Sequence, residues 1–111
     1  MKLSRLISAC TLGAVAALSA QVWAEGDPAA GKLKTQMCEG CHGIPDYRTA
    51  YPDVYSVPKL GSQSPGYIVK ALQDYKSGAR KHPSMRGIAA NLSDKDMADV
   101  AAYYTGGVAA K

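Results

Sequence analysis

The sequence predicts an all-α domain of about four helices, preceded by an N-terminal segment of a different kind. Three observations carry that expectation. Apolar residues recur at helical spacing in two stretches, Ile68, Ala71, Leu72 and Tyr75, then Met97, Val100, Ala101 and Tyr104. Helix-starting residues stand ahead of three expected helices: Asp27-Pro28, Ser64-Pro65, and Ser93 with Asp96 three positions on. No convincing strand pattern surrounds residues 38 to 42.

The N-terminal segment comes first. Lys2 and Arg5 open it with positive charge, Leu6 to Ala20 is apolar and uncharged, and Val22-Trp23-Ala24 has the small-residue pattern of a cleavage site before the acidic Glu25 and Asp27. This is read as a cleavable secretory signal over residues 1–24, leaving residues 25–111 as the domain. The apolar run is short for a spanning helix, which needs roughly 20 apolar residues. Ile7-Ser8-Ala9-Cys10 loosely resembles a lipoprotein signal, but most of the apolar residues follow Cys10 instead of preceding it. Removal of Lys2 and Arg5 lowers the formal net charge from +4 to about +2. No basic stripe is present, so nucleic acid is not an expected partner.

The first helix is expected to start at Asp27-Pro28 and to run through Leu33 and Met37 into Cys38. Gly43 to Pro58 follows as a long loop carrying Pro45, Pro52, Pro58, Tyr47, Tyr51 and Tyr55. A structureless loop of this length needs a reason, and wrapping one edge of a bound group is such a reason. The middle helix opens at Ser64-Pro65 and ends at Gly78. Arg80 to Gly87 reads as a loop punctuated by Pro83 and Gly87. The last helix opens with a capping box at Ser93 and stops at Gly106-Gly107. Phe is absent and the single Trp, Trp23, lies in the signal. The apolar supply is thin for a domain that must bury a core, and a large apolar cofactor makes it up.

Residues 38 to 42 read Cys38-Glu39-Gly40-Cys41-His42, the C-x-x-C-H spacing of covalent haem attachment. Two thiols on about one helical turn can each add to a different vinyl group of one porphyrin, and the adjacent His42 is then directed at the iron. Three other readings compete: a thioredoxin-like redox pair, which wants a βαβ setting; a zinc site, for which His82 is the only further plausible ligand; and an accidental match. On the far side of the iron, Met1 falls in the signal, Met37 abuts Cys38, and Met97 lies in a core stripe. Met85, in the segment Arg80 to Gly87, is the expected sixth ligand, with His82 the runner-up.

Nearly all of residues 26 to 107 resembles the class I monohaem cytochromes c of the bacterial periplasmic type. The matching pieces are Gly31, Cys38 to Gly43, Pro58 to Gln63, Tyr67, Gly78-Ala79-Arg80, Met85, and Asn91 to Tyr104. The resemblance implies a small cytochrome c fold around one covalent haem c, with metal ligands His42 and Met85. It further implies that the Pro58 carbonyl accepts the other ring N–H of His42, that Leu60 presses on the haem face, and that Arg80 sits near a propionate. Gly31 would let the first and last helices cross closely against Val100 and Tyr103 or Tyr104. The segment Ile44 to Val57 departs from the compact family loop.

The expected function is single-electron transfer, without enzymatic activity, by a periplasmic monomer. The expected partners are a redox protein donor and acceptor, with transient docking to membrane respiratory complexes. Lys59, Arg80, Lys81 and Arg86 are candidates to ring the exposed haem edge and steer acidic partners; the bland reading makes them ordinary solvated charges. The alternative functions are a ligand-binding or peroxidase-like haem protein with an open or displaceable distal site, and an accessory subunit bound permanently to a dehydrogenase or oxidase.

Overall fold

The computed structural model describes residues 25–50 and 54–106, so the expected signal over residues 1–24, together with Tyr51, Pro52 and Gly107, lies outside the described residues. Among the described residues the helices are α1 (Pro28–Lys34), α2 (Gln36–His42), α3 (Pro65–Ser77), α4 (Pro83–Ala90) and α5 (Asp94–Thr105). The all-α class holds.

The helix starts follow local chemistry. Asp27 accepts from the Ala29 N–H with Pro28 at the first position, and Ser64 accepts from the Tyr67 N–H with Pro65 next. Ser93 and Asp96 form the reciprocal capping box of α5. Gly78 closes α3 in the left-handed conformation, at φ 84°, which a side chain would disfavour.

Three expectations are corrected. The first helix does not run unbroken into the cysteines. It divides at the buried Thr35, whose hydroxyl and N–H both turn back to the Lys32 carbonyl, at 2.9 and 3.4 Å. The N–H groups of Cys38 and Glu39 then restart the ladder on the Thr35 carbonyl. Arg80 to Gly87 is not all loop. From Pro83 the chain is helical, because Pro83 takes a position that needs no N–H and Arg86 N–H bonds the His82 carbonyl at 2.9 Å. The loop from Gly43 to Pro58 is not structureless. Arg48 and Ser56 form an antiparallel bridge, flanked by Thr49 N–H to the Tyr55 carbonyl and Val57 N–H to the Tyr47 carbonyl, both 2.9 Å.

α5 supplies Met97, Val100, Ala101 and Tyr104 to a core completed by Ile68, Val69 and Leu72 of α3 and Ala89 of α4. α1 lies across the other side of α5. A Cβ on Gly31 would meet the Asp99 carbonyl oxygen at 2.0 Å and the Tyr103 Cβ at 2.9 Å, so the crossing requires glycine. Its nearest contacts are thus Asp99 and Tyr103, and Val100 is not among them.

Asp99 is fully buried within this crossing. Its carboxylate accepts from the Asp27 N–H at 2.8 Å, from Lys34 Nζ at 2.8 Å, and from Lys95 Nζ at 2.8 and 3.0 Å. A buried carboxylate persists when its oxygens are met by donors in this way. Lys34, with Lys95 and the Asp27 N–H, holds the Asp99 carboxyl well below the usual carboxylate range. Lys34 also pairs with Asp96 at 2.6 Å; Lys34 and the Ser93 groups lower Asp96 likewise, while the two carboxylates raise Lys34.

Candidate functional site

The short helix α2 carries the chemistry. Cys38 and Cys41 are both free, the first half-buried and the second exposed, one helical turn apart. Burial pushes the Cys38 thiol up, and Glu39 adds to the shift. The Tyr104 hydroxyl is buried and lies within electrostatic reach of that thiol, but it makes no hydrogen bond of ordinary geometry. Burial is the main cause that raises the Tyr104 phenol, with Cys38 second.

His42 ends α2, where Gly43 turns its N–H back to the carbonyls of Glu39 and Cys41. The Nδ1 of His42 stands 2.8 Å from the Pro58 carbonyl oxygen. A carbonyl has no proton to give, so the shared proton resides on Nδ1, and Nε2 keeps its lone pair for a metal.

Met85 is the third residue of α4, with its side chain partly buried against the α3–α5 core. Cys38 and Leu60 pack against the same core. The fold therefore brings Cys38, Leu60 and Met85 to one apolar cluster, with Cys41 and His42 on the same helix as Cys38 and Pro58 bonded to His42. Arg80 stands in a different group. Its guanidinium donates to the Tyr67 hydroxyl at 3.2 Å and lies 5.0 Å over the Tyr75 ring. Tyr67, then the neighbouring Tyr75 and Asp74, raise Arg80 above its ordinary value.

His82 has a place that the sequence reading gave to no residue. Its Nδ1 accepts from the Met85 N–H at 3.2 Å, which makes it the N-cap of α4. Its ring lies 4.2 Å from that of Tyr55 and 6.1 Å, edge-on, from that of Tyr75. The signal was present, since His82-Pro83 repeats the pattern of a cap followed by proline seen at Asp27-Pro28 and Ser64-Pro65. It was masked because histidine is not among the usual capping residues.

The donor set fits a covalently tethered iron porphyrin. Two free thiols share one face of a helix, an imidazole is anchored through one nitrogen with the other free, and a thioether borders the same apolar core. Among the described residues no group of three or more His, Cys, Asp and Glu side chains gathers to hold a metal ion. Among the described residues, then, Cys38 and Cys41 have no further ligands gathered as a closed zinc site requires.

No family model matches the chain. Over 81 residues it is 43% identical to cytochrome c4 of Pseudomonas aeruginosa, a match that takes in 73% of this chain and 38% of that protein. Over 91 residues it is 43% identical to cytochrome c4 of Azotobacter vinelandii, covering 74% of this chain and 41% of the relative. The chain spans about two-fifths of the length of these relatives. Against cytochrome c-554(548) of Halomonas halodenitrificans it is 40% identical over 83 residues, which make up 72% of this chain and 95% of that protein.

Proposed function

The chain belongs to the class I bacterial c-type cytochromes, and from that premise we propose that it is a single-electron carrier of the periplasm, holding one haem through Cys38 and Cys41 between His42 and Met85. The bound group supplies one-electron exchange at iron. The protein supplies attachment, ligation and shielding.

Cys38 and Cys41 tether the porphyrin as thioethers, which keeps it bound in a dilute exported protein. His42 presents Nε2 while Pro58 holds the ring by Nδ1–H and raises its basicity. The Met85 thioether would supply a soft donor, which favours reduced iron and would raise the potential. Leu60, packed against the α3–α5 core, would line the haem pocket from its apolar side. Arg80, close to Tyr67, offers positive charge to a propionate. Were His42 and Met85 both to ligate the iron, small molecules would find no free coordination site, and the bound group would serve transfer, not catalysis. The exposed cations Lys59, Lys81, Arg80 and Arg86 steer acidic redox donors and acceptors towards the haem edge.

The observation that carries this reading is the anchored His42 ring beside two free thiols on one short helix. The test is the optical spectrum of the purified holoprotein in both oxidation states, with and without carbon monoxide. A low-spin spectrum with the weak far-red sulfur-to-iron band, unchanged by carbon monoxide, is the expected result. A high-spin spectrum or ready carbon monoxide binding overturns it in favour of a ligand-binding haem protein.

A further inference from the structure

We propose that His82 is the positioning residue for Met85, holding the first turn of α4 by accepting the Met85 N–H on its own ring. The inference rests on the reading of Met85 as the distal ligand.

The first turn of α4 has few ways to be held. Pro83 carries no N–H, and the Arg86 N–H already bonds the His82 carbonyl at 2.9 Å. The Met85 N–H bonds the His82 Nδ1 at 3.2 Å, so the backbone of the thioether residue is fixed by the ring of the residue three positions before it. A capping serine or aspartate swings on a short side chain. The His82 ring instead packs against the rings of Tyr55 and Tyr75, at 4.2 and 6.1 Å. Tyr55 belongs to the bridged segment before α3, and Tyr75 belongs to α3 itself. The direction of Nδ1, and through it the height of Met85 along α4, is thereby set by two other parts of the fold. A distal sulfur so fixed resists displacement because its helix turn cannot fray alone.

The test is a competition for the iron in the holoprotein. Imidazole is titrated against the ferric form, and loss of the far-red band is followed in wild type, His82→Ala, His82→Asn, Met85→Ala and Ser93→Ala. Loss of a helix cap in His82→Ala tightens apparent imidazole binding roughly fivefold, the fold-change equivalent to a cap of about 1 kcal/mol. Asparagine caps well, so His82→Asn returns most of the way to wild type. Ser93→Ala removes the α5 cap, which touches no proposed ligand; it lowers the unfolding temperature but leaves imidazole binding where it was. Wild-type imidazole affinity in His82→Ala, with Met85→Ala binding imidazole far more tightly than wild type, overturns the role of His82 alone. So does an equal shift in His82→Ala and Ser93→Ala, which makes the effect one of general stability. A wild type without the far-red band, together with a Met85→Ala variant indistinguishable from it, overturns the ligand assignment and this inference together.

Discussion

His42 gives its Nδ1 proton to the carbonyl of Pro58 across 2.8 Å, tying the last residue of α2 to the chain that leads into α3. The acceptor is backbone, so the bond does not depend on the proline ring. Replacing Pro58 by alanine leaves the spectrum of the holoprotein unchanged. It costs about 0.4–1 kcal/mol in denaturant unfolding, because the unfolded chain gains freedom at residue 58.

If Cys38 and Cys41 are the attachment points, each is expected to hold the haem on its own. Cys38→Ala and Cys41→Ala each retain haem through a single thioether, whereas the double variant releases it. Haem staining after denaturing electrophoresis distinguishes the three: colour persists in both single variants and disappears from the double one.

Gly31 lies where α1 and α5 approach closely. A Cβ there would stand 2.0 Å from the Asp99 carbonyl oxygen, a separation no rotamer can relieve. Gly31→Ala therefore lowers stability by about 1–3 kcal/mol, the usual cost of overpacking, as measured by denaturant titration.

Acid removes the support that Asp96 and Asp99 give. Both carboxyls lie below their ordinary value, chiefly through Lys34. A group lowered in the folded state contributes in full above its unfolded value of about 3.9 and loses that contribution as pH falls towards the folded value. Asp99→Asn keeps an acceptor for the Asp27 N–H but not the charge. Its deficit in unfolding temperature relative to wild type is largest at neutral pH and narrows below about pH 4. A deficit that stays constant down to pH 2 would contradict this assignment.

Lys81 and Arg86 are exposed, and if they steer partners they set encounter rates. Changing both to glutamine slows electron exchange with hexacyanoferrate, an anionic partner, by about two- to tenfold at low ionic strength, and has little effect in concentrated salt. Stopped-flow rates across a salt series give the comparison.

The parts of the fold legible in the sequence are those decided within a few residues. Asp27-Pro28, Ser64-Pro65, Gly78 and the Ser93–Asp96 box each act within one helical turn, and the α5 stripe from Met97 to Tyr104 repeats at the helix period. The break at Thr35 escaped because it depends on a hydroxyl competing for the Lys32 carbonyl, an exchange that periodicity does not record. The helical state of Pro83–Ala90 escaped because Gly87 and Pro83 read as punctuation, while His82 is a rare cap. The burial of Asp99 is non-local: three donors, from Asp27, Lys34 and Lys95, make an aspartate tolerable at a fully enclosed position. The candidate site divides in the same way. Cys38, Cys41 and His42 form one contiguous pattern. The packing of Cys38, Leu60 and Met85 on one core and the contacts of His82 with Tyr55 and Tyr75 need residues far apart in the chain, and neither composition nor spacing carries that information.

The Asp27–Asp99 hydrogen bond joins residues 72 positions apart. With it in place, everything from the Cys38 turn to the Met85 helix belongs to a closed loop. A closed loop explores far less volume than a free chain, and the entropic cost of its closure grows only slowly with its length. Once the two outer helices have met, therefore, the remaining elements assemble within a confined circuit. The buried carboxylate that fastens this circuit lies on the face of α5 that meets α1.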